Sequence, residues 1–498
     1  MTIVYPFYKS LSRAQKKLIV RAKHKMVPVI EAGVQTHPAG MLTEGLGANL
    51  PRIDQPGQNE AYPHNEAEWQ KLEHHLDWLG LSWLRYWLFG EEIIPRPGVF
   101  HPEHEYVQRL IRLHDWAKRR DAHLILDFGV TPTWLRFKAG DPRSYRLSAP
   151  YDLEQYVEAY ALPLVKYVLR DLRLTQIKYL SLFNEPFCPD HNGFSFYVPK
   201  GVDVFAHYVS LFARMRRRLD EQGIASDELG LIGPNSHDLF VQPLSEMRKR
   251  GLDLLPHVAA VDEHCYRTRL DYLPAVHHIP TLTIGDMIAT YLRPAVQAAT
   301  ARGKPYFLTE YSTFYYGGLT GDPQGPARHE AALTEIEFAL RCLAAGASGV
   351  MKWSFINAGK FDGRWQYIET VDGSYAPAPH VYYAHAVFSR FTPRGGAIHP
   401  ITFDAGKRRG LHGIMVKKGG QATALVVNDQ PAEQIRVRFQ RADFPAGKNL
   451  TARTTDAIQK FAALPAEVTA DHVTILLNPM SVTAITTYDI NDDEDAVL

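Results

Sequence analysis

The 498-residue chain is poor in the features that most readily assign a protein to a class. It has three cysteines, Cys188, Cys265 and Cys342, with no paired framework and no CxxC, so neither a disulfide scaffold nor a zinc site is indicated. No apolar run approaches the roughly 18 residues of a membrane span. An excess of charge is missing as well: 55 Lys and Arg face 54 Asp and Glu, a formal net charge of +1 that gives no reason to expect a nucleic-acid partner. Neither GxGxxG nor GxxxxGK[ST] occurs, which argues against dinucleotide and P-loop chemistry. Residues 1–26 are basic through Lys9, Arg13, Lys16, Lys17, Arg21, Lys23 and Lys25. Their only apolar run is Leu18-Ile19-Val20, short of the roughly 7–15 apolar residues of a secretory signal. The expectation is a cytoplasmic protein with a basic N-terminal extension.

What is present is aromatic weight and a regular alternation. Eight Trp and 25 Tyr suit a cleft that stacks on flat apolar faces, although most must serve the core. Between residues 27 and 393, short apolar runs alternate with longer amphipathic ones, the pattern of βα units. Eight strands are predicted: Val27–Gly33, Trp83–Trp87, His123–Phe128, Ile177–Phe183, Leu229–Ile232, Val258–Tyr266, Tyr306–Thr309 and Gly349–Trp353. Helical stretches lie between them; in one, Trp69, Leu72, Leu76 and Leu79 fall on a single face. Eight such units predict a TIM (β/α)8 barrel over 27–393, although periodicity alone does not separate a closed barrel from an open sheet. From 394 to 490 the texture changes to short β-rich runs, with hairpins expected at Gly419-Gly420 and Asn428-Asp429, which predicts a C-terminal β-sandwich. An acidic tail, 491–498, follows.

In an α/β barrel the reactive groups gather at the C-terminal ends of the strands. Strand four runs into Asn184-Glu185-Pro186, and strand seven, Tyr306-Phe307-Leu308-Thr309, ends in Glu310. A carboxylate just past an apolar strand is costly unless a function or a partner requires it. Pro186 biases Glu185 towards an extended backbone. Either glutamate alone is as readily a salt-bridge or capping residue. Together they suit glycosidic cleavage, in which one carboxyl protonates the leaving oxygen while the other attacks the anomeric carbon or activates water.

The order of these residues resembles glycoside hydrolase clan A, the 4/7 superfamily of barrels. Asn184-Glu185-Pro186 and Glu310 carry the resemblance, with strand-two Arg85, His264 and Tyr266 near the end of strand six, and Trp353 after strand eight. It implies Glu185 as acid/base, Glu310 as nucleophile, Arg85 and Tyr266 as partners of the nucleophile, and Trp353 as the floor of the cleaved sugar's subsite. Asn184 is expected on the sugar 2-hydroxyl. The resemblance is nearest to family 5, with families 39 and 30 as alternatives, and implies a retaining glycoside hydrolase with neither cofactor nor metal. In a cytoplasmic enzyme small imported glycosides or oligosaccharides fit better than insoluble cellulose, which implies an exo-acting β-glycosidase. Less solvated surroundings and the charge of Glu310 are expected to raise the pKa of Glu185.

His37, after the first predicted strand, is a further candidate for a sugar hydroxyl, as are Asp127, Trp134, Asn235, His237, Asp190, His191, Asn192 and Asn357, while Cys265 should point into packing. Two other readings stay open: a catalytically silent carbohydrate-binding barrel and an endo-acting glycanase. A carboxylate metal site for isomerase chemistry is disfavoured, because no His/Asp ligand set accompanies the two glutamates.

Overall fold

A computed structural model describes residues 27, 29–50, 62–137, 149–187, 189–190, 193–194, 196–237, 242–265, 283–312, 326–358, 366–371, 374–404 and 410–489. The predicted N-terminal extension, the acidic tail, Tyr266, His191 and Asn192 lie outside these residues. Eight parallel strands close a barrel: β1 (Gly45–Leu50), β2 (Trp83–Trp87), β3 (His123–Asp127), β4 (Ile177–Ser181), β5 (Gly230–Ser236), β6 (Ala260–Cys265), β7 (Tyr306–Tyr311) and β8 (Gly349–Lys352). Its interior is filled by Trp83, Ile125, Tyr179, Ile232, Ala260, Phe307 and Met351, mostly large side chains drawn from seven strands. Trp83 is the largest, and glycines opposite it make the room: a Cβ on Gly47 would lie 2.4 Å from the indole.

Seven of the eight predicted strands are barrel strands, and the first is not. Val29–Val34 joins the C-terminal sheet, parallel to Ile435–Gln440 and antiparallel to Gly396–Phe403, so Val27–Gly33 does not open the barrel. The true first strand, Gly-Leu-Gly-Ala-Asn-Leu, has little β-propensity, because its small residues serve the interior tryptophan. His37 therefore sits in an exposed turn between two strands of that sheet instead of at the barrel mouth.

Outside the barrel, helix α1 (Glu66–Leu79) starts where the Asn65 side chain accepts from the Glu68 amide and stops at left-handed Gly80. Helix α2 (Pro326–Ala344) follows β7 and lies against the C-terminal domain. That domain is one curled sheet whose two halves face each other as a sandwich. Strand periodicity divides the labour. Met415, Ala424 and Val426 point into the sandwich core, while their neighbours Ile414, Val416, Leu425 and Val427 join the core of the barrel. Gly419 and Gly420 both take positive φ and form the expected hairpin. Asn428-Asp429 instead leads across to the other half of the sheet, with Asn428 Nδ2 donating to the carbonyls of Glu433 and Asn478. Among the described residues no helix is long and apolar enough to cross a membrane.

Candidate active site

The C-terminal ends of β1 to β8 bring Asn49, Arg85, Asp127, Asn184, Glu185, Asn235, His237, His264, Glu310 and Trp353 together. At the centre is Arg85, fully buried on β2. Its Nε and Nη2 donate to Asp127 Oδ2 at 3.0 and 2.5 Å, and Nη2 also donates to Asn184 Oδ1 at 2.9 Å. Nη1 reaches Asn49 Oδ1 at 3.2 Å and pairs with Glu310 Oε1. Burial opposes the charge of Arg85, but Asp127 and Glu310 outweigh it and hold the guanidinium firmly protonated. Asp127, predicted as a mouth residue, is buried beneath the site and is fixed by the Gly129 amide at 2.6 Å. Asn49 was not foreseen, because the strand that carries it was not; its amide donates to Thr309 O and Lys352 O, tying β1 to β7 and β8.

Glu185 is not extended. Its φ is +50°, in the left-handed region, where a non-glycine residue stays only if its surroundings fix it. The fixing groups come from β5 and β6: the Glu185 amide donates to Asn235 Oδ1 at 3.0 Å, and Asn235 Nδ2 donates to buried Asp262 Oδ2 at 2.7 Å. Thr309 Oγ1 also donates to Asp262, whose carboxyl burial pushes above its ordinary value. Asn235 thus acts beneath Glu185, not on the rim of the mouth.

Two imidazoles face the Glu185 carboxyl. His264 Nδ1 lies 2.8 Å from its Oε1, and His237 Nδ1 stands 3.0 Å from the same oxygen, off the line of a straight hydrogen bond. His264 Nδ1 is also 3.5 Å from Glu310 Oε2, so it stands between the two carboxylates. One oxygen from each glutamate and one His264 nitrogen all lie within 4.8 Å of one another. The expected rise in the pKa of Glu185 is reversed. Burial pushes the carboxyl up, but His237 and then His264, by hydrogen bonding and charge, pull it well below the usual carboxylate range.

Trp353 follows β8, joined to Ser354 by a cis peptide, and its half-buried ring meets Trp87 at 5.6 Å with a 56° tilt. The Arg85 guanidinium lies over Trp87 at 5.0 Å. Trp134 packs away from the centre, its indole donating to Ile94 O. Asp190 and Asn357 fall on short strands, but their side chains lie outside the described residues, as does the predicted Tyr266 contact. Cys265 is buried in the apolar shell, as strand alternation required.

No family model matches the sequence, and no curated protein is similar to it. Solved structures are similar. A GH30 endoxylanase from Clostridium papyrosolvens C71 aligns over 92% of this chain and 99% of its own, at 14% identity and a TM-score of 0.62. A GH51 arabinofuranosidase from Xanthomonas axonopodis pv. citri gives 14% identity and a TM-score of 0.57, and a GH39 β-xylosidase from Caulobacter crescentus 14% and 0.55. Each of these two covers 92% of this chain and 99% of its own. The chain shares the fold of these glycoside hydrolases over 92% of its length.

Proposed function

We propose that the chain is a retaining glycoside hydrolase in which Glu310 is the nucleophile and Glu185 the acid/base. The observation that carries this reading is the approach of the two carboxylates, with an oxygen of each within 4.8 Å of the other at the mouth of the barrel. Retaining enzymes hold their carboxyl groups about 5–5.5 Å apart, whereas inverting enzymes leave about 6.5–9.5 Å for a water, and the close approach of one oxygen pair supports the nearer arrangement. Arg85 faces Glu310 with a buried positive charge, which favours the carboxylate form that attacks.

In the first step a Glu310 oxygen bonds to the anomeric carbon as the bond from that carbon to the leaving oxygen breaks. Glu185 gives its proton to that oxygen. In the second step Glu185 takes a proton from water, the water oxygen bonds to the anomeric carbon, and Glu310 leaves as a carboxylate. Asn184, held by Arg85, is placed to meet the sugar 2-hydroxyl, and the Trp87–Trp353 corner offers an apolar face to the ring. Small glycosides and exo action remain the reading for a cytoplasmic enzyme. The xylanase, xylosidase and arabinofuranosidase names of the similar structures make pentosides the first substrates to try.

A panel of aryl β- and α-glycosides, read by phenol release, tests the assignment. Glu310→Ala is expected to lose turnover by at least 1,000-fold, in the range by which single catalytic groups act. Glu185→Ala is expected to keep the hydrolysis of dinitrophenyl glycosides while losing that of alkyl glycosides. Proton NMR of the first-formed sugar should show retained configuration. Ordinary turnover by Glu310→Ala would sink the assignment.

A further inference from the structure

His237 forms no part of the resemblance on which the two glutamates were found, yet the fold seats it on the acid/base. β5 ends at Ser236 and the chain turns outward, leaving the His237 side chain 30% exposed, whereas His264 on neighbouring β6 is wholly buried. Both rings turn Nδ1 towards one atom, Glu185 Oε1, at 3.0 and 2.8 Å. The other charged groups around the pair are fixed. Glu310 Oε2 lies 3.5 Å from His264 Nδ1, Arg85 Nη1 lies 3.5 Å from His264 Nε2, and Asp262 is held below by Asn235 and Thr309. A carboxyl oxygen approached by imidazoles from two neighbouring strands is restrained from both sides, and its partner oxygen is the less restrained of the two.

We propose that His237 is a positioning residue for the acid/base: from the end of β5 its Nδ1 holds Glu185 Oε1 against His264, leaving the second carboxyl oxygen to deliver the proton. The proposal rests on the glycosidase reading for its chemistry, but its geometry can be tested without turnover.

Two measurements test this on the full-length protein. In the first, the His237 ring signal is followed by NMR through a pH titration in the wild type and in Glu185→Gln. Losing the anion should lower the proton affinity of His237 at least threefold, and an unchanged midpoint overturns the proposal whether or not the protein hydrolyses glycosides. The second compares His237→Ala and His237→Asn on an alkyl and on a dinitrophenyl glycoside. His237→Ala should lose at least tenfold more kcat/KM on the alkyl substrate, which needs the acid, than on the activated one. His237→Asn, which keeps a donor near Nδ1, should recover part of that difference. Equal losses on both substrates overturn the proposal. A wild type that hydrolyses no glycoside in the panel overturns the glycosidase reading instead and leaves the titration to decide the clamp.

Discussion

At the scale of single residues, the site combines groups legible in the sequence with groups visible only in the fold. Glu185 and Glu310 were legible because each follows or ends an apolar strand, where a charge needs a reason, and Arg85 and Trp353 because they fall in the order of the clan A resemblance. Asn49 and Asp262 were not: one sits on a strand without a strand's composition, and the other is an acid whose partners, Asn235 and Thr309, lie 27 and 47 residues away. The left-handed backbone of Glu185 also escaped, because Pro186 argues locally for extension and the opposing hydrogen bond arrives from Asn235. Burial has a second effect on single residues far from the sugar. His385 is pulled down to about 4, chiefly by burial, and so is His75. Unfolded, each titrates near 6.5, so between pH 6.5 and 4 the unfolded chain binds more protons than the folded one. Stability is therefore full above pH 6.5 and falls as the pH drops towards 4, by roughly 3 kcal/mol for each histidine. Urea unfolding measured across that window should show the loss, and His385→Gln should flatten part of it.

At the scale of elements, the ends of β7 and β8 are pinned from behind the site. Lys352, fully buried, donates from Nζ to Ser312 Oγ at 2.7 Å, to Glu335 Oε1 at 3.1 Å and to the carbonyl of Trp353 at 2.7 Å. Ser312 lies two residues beyond Glu310, and Glu335 belongs to α2, so one ammonium couples the strand of Glu310, the helix that follows it and Trp353. Such a pair stabilises little over an apolar replacement, but removing one partner strands the other charge, typically at about 3–5 kcal/mol. Lys352→Met should lose stability on that order in denaturant unfolding, and the double change Lys352→Met/Glu335→Leu should recover much of it. Neither Lys352 nor Glu335 stood out in the sequence, since a lysine at a strand end and a glutamate in a helix both read as surface. Most helices were legible, because their caps and faces are local. Thr451–Thr455 and Gly396–Phe403 were missed among loops, where neighbouring strands supply what their own composition does not signal.

At the scale of the whole molecule, barrel and sandwich are one folding body. Ile398, Ile414, Val416, Leu425, Val427 and Val482 of the sandwich belong to the same apolar cluster as the barrel's outer layer. A fragment ending at residue 393 would expose that face and leave Val29–Val34 without either partner strand, so it should be insoluble or bind hydrophobic dyes, while the full chain should unfold in a single thermal transition. The β-rich texture of the C-terminal part was legible from composition, but the return of the first strand was not. That strand makes a demand on synthesis. Glu31 meets Arg438, 407 residues further on, which at about 5–20 residues per second emerges from the ribosome roughly 20–80 seconds later. Until Gly396–Phe403 emerges the nascent barrel carries an unpaired strand at its leading end, an opening for a holdase chaperone or for exchange with a neighbouring copy, and its second edge stays open until Ile435–Gln440 is made.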